Sequence, residues 1–245
     1  MELQLSYVLN KLKPKKMKQA LQTVPTELPN AYQATIDRII KRGPEYINLA
    51  FEVLGWILQS RRPLRMRELS ESITVELGDT DREEEEIPDP MRLIEVCKGL
   101  VIYDRSSGII LFAHYTVQEF LLRECCPHQV VGSVQVTLSC LTYLLYDVFN
   151  VEGPLPKEHA RQHEFLDYSA RYWVDHIEDL DTENEDIQAL AIRLLTTKGN
   201  CATMVSVATM GNWKKLLPPF TFLANMGATR LVRWLLEARS AFSKR

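Results

Sequence analysis

The sequence predicts a mainly α-helical protein with one short β-hairpin set among its helices, the outline of a winged-helix domain. Three observations carry that prediction. The run from Cys97 to Leu122, CKGLVIYDRSSGIILFAHYTVQEFLL, holds two apolar, β-branched segments, Leu100 to Asp104 and Ile109 to Ala113, separated by Arg105-Ser106-Ser107-Gly108. Gly108 supplies the positive φ that a tight hairpin needs at little steric cost. The stretch from His114 to Leu121 then opens a helix, with Thr116 as candidate cap and Glu119 three residues on. Apolar positions before and after the hairpin recur at helical spacing.

In chain order, Leu3, Leu5, Val8, Leu9 and Leu12 form one apolar stripe, followed by Lys11, Lys13, Lys15, Lys16 and Lys18. Pro14 breaks this helix, and a second short helix covers Lys16 to Gln22. From Asn30, the spacing of Tyr32, Ile36, Ile39 and Ile40 predicts a helix that Gly43-Pro44 ends. Glu45 to Ser60 carries Ile47, Ala50, Phe51, Leu54, Ile57 and Leu58 on one face, and Arg61-Arg62-Pro63 stops it. Met66 to Val75 is a further short helix. Gly78 to Pro90, GDTDREEEEIPDP, is acidic and without periodicity, and reads as an exposed loop. Met91 to Lys98 is a helix leading into the hairpin. Beyond the hairpin, Pro127 and His128 mark a joint, Val130 to Val148 is a long apolar helix, and Gly153-Pro154-Leu155-Pro156 is a linker. Phe165 to His176 is an aromatic helix, whose rings at helical spacing predict core positions. Glu178 to Asp186 is acidic and exposed, Ile187 to Thr197 is helical, and Phe220 to Leu236 reads as a helix pair.

Composition narrows the function. A chain of 245 residues, 46% hydrophobic and 25% charged, can build one large or two small cores. Its formal net charge of -3 lacks the basic excess of a nucleic-acid binder. The five cysteines, Cys97, Cys125, Cys126, Cys140 and Cys201, are odd in number and show no paired spacing, as expected in a reducing compartment. No apolar run reaches transmembrane length, and the first residues lack the continuous apolar stretch of a secretory signal.

Catalytic and ligand signatures are sparse. There is no GxxxxGK[ST] or GxGxxG, so no glycine turn lets the backbone wrap a phosphate. There is no GxSxG, HExxH or CxxC. Cys125-Cys126-Pro127-His128 is the nearest thing to a ligand cluster, but adjacent cysteines ligate one ion poorly and no second pair lies nearby in sequence. His114, where strand meets helix, is expected to order the helix start rather than to act as a base. The run Glu83 to Glu86 and the lysines at positions 11 to 18 read as solvated faces. The helix before the wing has only Arg92 and Lys98 as cations, opposed by Glu95, so it lacks the character of a groove-reading helix. No catalytic, cofactor-binding or metal-ligating residue is assigned.

Several segments, taken together, resemble a known family. Leu28-Pro29-Asn30-Ala31-Tyr32 through Ile36-Asp37-Arg38-Ile39 is similar to the end of the NACHT module in fungal NACHT–ankyrin proteins of the STAND type. Val53-Leu54-Gly55-Trp56-Ile57, Arg62-Pro63-Leu64 and Glu68-Leu69 resemble the segment that follows it. Cys97-Lys98-Gly99-Leu100-Val101 resembles "CxGLV", and His114 to Leu121 is similar to "HxSVxEYL". Phe165 to Trp173 resembles "FLxYAxxxW", which lies just before the ankyrin repeats, and FTFLANMGATRLVRWLLEARS resembles one degenerate repeat. Ala238-Arg239 stands where the family has its Gly-Ala turn, and the Thr-Pro-Leu-His start is lacking. A single repeat cannot bury its own faces.

The resemblance implies four regions: residues 1–27, the helical remnant of the NACHT end; 28–125, the winged-helix domain; 126–200, a helical linker region; and 201–245, a degenerate ankyrin-like helix pair. It implies a cytoplasmic, non-catalytic regulatory and protein-interaction module of a signalling ATPase family tied to fungal non-self recognition. The NTPase core would lie before Met1, so the chain looks like a fragment or the product of a shortened gene. No cofactor is expected, and the expected partners are proteins: an NTPase core, or the ankyrin repeats of a related protein. The alternative is a winged-helix nucleic-acid-binding protein. Trp56, Leu69, Leu100, Val101, Phe112, Tyr115 and Phe120 are the expected core, with the wing and the acidic loop as contact surfaces.

Overall fold

The computed structural model describes residues 28–123, 132–151, 153–181, 183–209 and 219–242. The expected helices before residue 28 and the Cys125-Cys126-Pro127-His128 cluster lie outside them. The protein is mainly α-helical with one small antiparallel sheet. It divides into two compact units; of the described residues, the first holds 28–66 and 88–123, and the second holds 67–87 and everything from 132 on.

In the first unit, α1 (Leu28–Ile40) packs against α2 (Pro44–Gln59). Gly43 sits at φ 104, a conformation L side chains rarely adopt, and Pro44 enters as the first helical residue, where no N–H is needed. Strand β1 (Leu64–Arg65) follows Pro63. The helix α3 (Met66–Ile73) starts at the last residue of this unit. The chain rejoins the first unit at Pro88 and forms α4 (Pro90–Val96), whose Asp89 side chain caps Met91 N at 2.8 Å. Lys98 at φ 50 and Gly99 at φ 88 turn the chain into β2 (Val101–Asp104), which pairs with β3 (Ile109–Phe112); α5 (Tyr115–Arg123) closes the unit.

The sheet has the order β1-β3-β2. The hairpin runs Val101↔Phe112 to Asp104↔Ile109, and β1 adds Leu64↔Ile110 and Arg65↔Ile109. The expected two-stranded wing is therefore a three-stranded sheet. A strand of two residues has no alternation to detect. Its continuation is visible only in space, where Met66 N donates to Gly108 O at 2.9 Å. Ile110, at the centre of the sheet, is fully buried beside Leu64, Leu93, Val96, Leu100 and Val101 among the core residues of this unit. Trp56 and Phe120 are buried as expected, as is Leu69 in α3. Two core assignments are corrected. Tyr115 is 68% exposed, because it is the first residue of α5 and its ring lies against that of His114, with centroids 4.4 Å apart. Phe112, at the end of its strand, is only half-buried. Val117 and Leu121 fill the face of α5 instead.

The second unit is built around α6 (Ser133–Leu144), which is buried on every side from Val136 onward, the property of a core helix. A 3-10 turn at Asp147–Phe149 and the short α7 (Lys157–Gln162) lead to α8 (Phe165–Glu178). Then come α9 (Glu185–Thr196), α10 (Lys198–Ala208), α11 (Pro219–Asn225) and α12 (Thr229–Phe242). Helix α6 packs on α8 and α9, and α8 also on α10 and α12. The aromatic helix is core as expected: Phe165, Tyr168 and Trp173 are fully buried. Helix α10 has no clear apolar stripe and its sequence does not announce it, yet it is essential to the packing. Asn200 donates to Leu144 O and Tyr146 O, both at 2.9 Å, and so satisfies the carbonyl end of α6. Thr203 Oγ1 donates to Phe149 O at 2.8 Å.

Candidate interaction surfaces and a buried carboxylate centre

In the first unit the wing and α4 carry exposed side chains. The wing tip is a rigid turn. Asp104 accepts from Ser106 N at 2.9 Å, from Ser106 Oγ at 2.6 Å and from Ser107 Oγ at 2.6 Å, and Gly108 N closes the loop on Asp104 O at 2.8 Å. These donors, the Ser106 hydroxyl first, hold the Asp104 carboxyl down at about 2, below the usual carboxylate range. On the outer side of the hairpin Ile102 is 44% exposed.

Helix α4 presents Met91, 55% exposed, with Arg92 and Glu95. Its cations are engaged within the unit. Lys98 Nζ lies 3.5 Å from Glu95 Oε1, and Arg42 Nη2 lies 3.9 Å from the same oxygen. The Arg92 and Arg42 guanidinium groups lie over the Tyr46 ring, at 5.9 and 4.5 Å from its centroid. A groove-reading helix needs cations free to reach phosphates and bases.

His114 orders the start of α5, as the sequence suggests. Its carbonyl accepts Val117 N at 3.0 Å, and its Nδ1 lies 3.3 Å from Thr116 N and 2.8 Å from Thr116 Oγ1. Thr116 is not the cap: it lies inside the first turn, where its hydroxyl also meets Tyr32 Oη at 2.6 Å and ties α5 to α1.

A buried electrostatic centre lies in the second unit and was not visible in the sequence. Glu71, on α3 and only 5% exposed, receives four groups. Arg82 Nη1 lies 3.0 Å from Oε1; Glu164 N donates to Oε1 and Phe165 N to Oε2, both at 3.1 Å; the Tyr143 hydroxyl donates to Oε2. No cap hydrogen bond comes from a side chain at the N-cap position of α8, so a carboxylate more than ninety residues upstream serves its first N–H groups. Arg82 also donates to Gln162 O and pairs with Glu84 at 2.8 Å, and Asp147 N donates to Thr80 O at 2.8 Å. The acidic loop is thus fastened at Thr80 and Arg82, while Glu83 to Glu86 remains solvent-exposed in a 3-10 turn. Burial first, then the Glu71 charge and hydrogen bond, pushes the Tyr143 phenol well up, with Arg82 opposing.

The described cysteines, Cys97, Cys140 and Cys201, are free and buried, and desolvation pushes all three thiols up, most for Cys97 and Cys140. Such thiols behave as small apolar groups. Among the described residues, no group of three or more His, Cys, Asp or Glu side chains is placed to hold a metal ion, and no helix is long and apolar enough to cross a membrane.

The order helix–strand–helix–helix–hairpin and the β1-β3-β2 sheet define a winged-helix domain. A family model described as the winged helix domain of GPI inositol-deacylase matches residues 38–131, the stretch that contains this sheet and its helices. No curated protein matches the chain. No solved structure matches it either.

Proposed function

We propose that this chain is a non-catalytic regulatory and protein-interaction module of a signalling ATPase family, of the fungal non-self recognition type, working in the cytoplasm. The observation that carries the reading is the surface of α4. Its exposed apolar side chain Met91 stands among cations already paired to Glu95 or laid over Tyr46, a face suited to protein rather than to phosphate. The sequence resemblance to NACHT–ankyrin proteins and the family match at residues 38–131 support it. In this reading the winged helix is a rigid lever that packs on the nucleotide-binding core of a related protein, and the wing and the Glu83 to Glu86 run are further contacts.

The test is titration calorimetry of the chain against the isolated nucleotide-binding module of a related signalling ATPase, loaded with ADP or ATP. The expected result is binding whose affinity differs between the two nucleotides and falls at least tenfold in Met91→Glu with the fold intact. Absence of binding in both states overturns the proposal. Retardation of mixed-sequence duplexes at low salt, steeply lost as salt rises, would instead favour the nucleic-acid reading.

A further inference from the structure

His163 lies between α7 and α8, is 5% exposed, and is tied to its surroundings by one ring nitrogen only. Nδ1 is 2.9 Å from His159 O. A carbonyl oxygen can only accept, so Nδ1 carries the proton in the neutral ring and Nε2 is a bare lone pair. That Nε2 is buried without a hydrogen-bond partner, and it points toward Asp81 Oδ1 at 3.7 Å. Two acceptors therefore face each other, at the point where the acidic loop crosses the start of α8. Oδ1 of Asp81 is itself held by Arg82 N at 2.8 Å, which fixes its position.

We propose that His163 and Asp81 form a proton-operated clasp on the 79–87 loop. In the neutral ring the pair is two lone pairs in apposition and contributes no hydrogen bond. A proton taken up from solvent at Nε2 turns that atom into a donor, makes the ring a cation opposite the Asp81 carboxylate, and closes the clasp beside the fixed attachments at Thr80 and Arg82. Other charged groups stand on the same and adjoining elements. Asp79 lies on the same loop. The Arg82 guanidinium holds the neighbouring Gln162 carbonyl and is matched by Glu71 and Glu84. The phenols of Tyr143 and Tyr146 stay neutral, burial being the main cause in both, and Asp147, Glu158, His159, Arg161, Glu164 and Asp167 are further charged or titratable groups on the adjoining elements. Tyr143 and Phe149 pack against the ring, with centroids at 6.2 and 5.0 Å. The consequence is a loop whose exposed Glu83 to Glu86 run is held more firmly in acid than at neutral pH.

The test uses the full chain and Asp81→Asn, a substitution at an exposed position expected to leave the fold intact. Ring 15N shifts read the tautomer and the titration of His163. Amide exchange at residues 79–87, corrected for its intrinsic pH dependence, reads the clasp. The expected result is a neutral Nδ1–H tautomer, and a proton affinity that falls about threefold in Asp81→Asn, the scale of a partly solvated ion pair. Loop protection rises severalfold from about pH 8 to about pH 5 in the native chain and stays flat in the variant. A neutral Nε2–H tautomer, a ring that takes no proton over that range, or a titration unchanged by Asp81→Asn overturns the proposal.

Discussion

Replacing Glu71 by Gln tests whether one carboxylate organises the second unit. The side chain keeps its shape but loses its charge, and one of its two oxygens becomes an NH2 group. The remaining oxygen cannot serve Arg82, Tyr143, Glu164 N and Phe165 N together, and the new donor faces groups that themselves donate. Removing one partner of a buried ion pair costs about 3–5 kcal/mol. Arg82 retains 12% side-chain exposure and a second carboxylate in Glu84, which places the ionic part at the low end of that range. Loss of the N-terminal cap on α8 adds about 1 kcal/mol. The expected destabilisation is therefore about 3–4 kcal/mol, large beside the 5–15 kcal/mol that holds a typical domain. Urea denaturation with amide exchange along α8 reads it in the second unit, and exchange in β2 and β3 serves as an internal control in the first. A loss below about 0.5 kcal/mol, the scale of an ordinary surface change, would refute the reasoning.

Three further outcomes follow from the packing. Trp56→Ala removes a side chain that is 2% exposed and should cost the first unit about 3–5 kcal/mol in thermal or urea unfolding; a near-neutral effect would contradict its core placement. Gly199→Ala sets two terms against each other. Helix propensity favours Ala by about 1 kcal/mol, but the new Cβ would stand 2.6 Å from both the Asn150 carbonyl carbon and Val151 N, which are backbone and cannot swing away, so overpacking of about 1–3 kcal/mol wins and the melting temperature falls. Tyr143, with its phenol raised in the folded state, contributes stability that is complete below the unfolded value near pH 10 and is lost as pH rises toward the folded value. Tyr143→Phe should therefore be less stable at neutral pH, where the bond to Glu71 is lost, yet lose less on going above about pH 10; an alkaline limb as steep as that of the native chain would count against this assignment.

What the sequence disclosed and what it hid divide along physical lines. Elements with strong local periodicity were legible: α2, the β2–β3 hairpin with Gly108 at φ 73, the aromatic α8, and α9, whose Asn184 caps Ile187 N at 3.0 Å. Elements that exist only through distant partners were not. Strand β1 needs β3 to be a strand, and α10 is defined by what Asn200 and Thr203 do for α6 and the 3-10 turn. Glu71 looks like any helix-surface glutamate in MRELSESI, and Arg82 like one charge in an acidic loop. Charge count alone cannot show that they meet under Tyr143. The one local hint was that a single arginine interrupts the acidic run from Asp79 to Glu86. The Tyr115 error has the same origin: helical spacing marks a residue as apolar-facing but not as lying on the end turn, where no neighbour covers it.

The placement of residues 67–87 with the second unit changes how the winged-helix region should be regarded. In sequence this stretch lies inside the matched span of 38–131, between β1 and α4, and it includes nearly all of α3. In space its polar groups serve the second unit, through Glu71 at α8, the Thr80 carbonyl at Asp147 and Arg82 at Gln162. The chain therefore passes between the units at 66/67, at 87/88 and again between residues 123 and 132. Neither unit is a contiguous segment. A piece ending at residue 131 would carry Glu71 and Arg82 without Tyr143 or the α8 N–H groups, and a piece beginning at residue 132 would carry those N–H groups without their carboxylate. A hydrophobic core can tolerate such a division when its two halves are separately apolar, but a buried carboxylate with four donors cannot, because each half would retain polar groups that only the other half satisfies. The matched winged-helix span is thus a unit of fold without being a unit of stability.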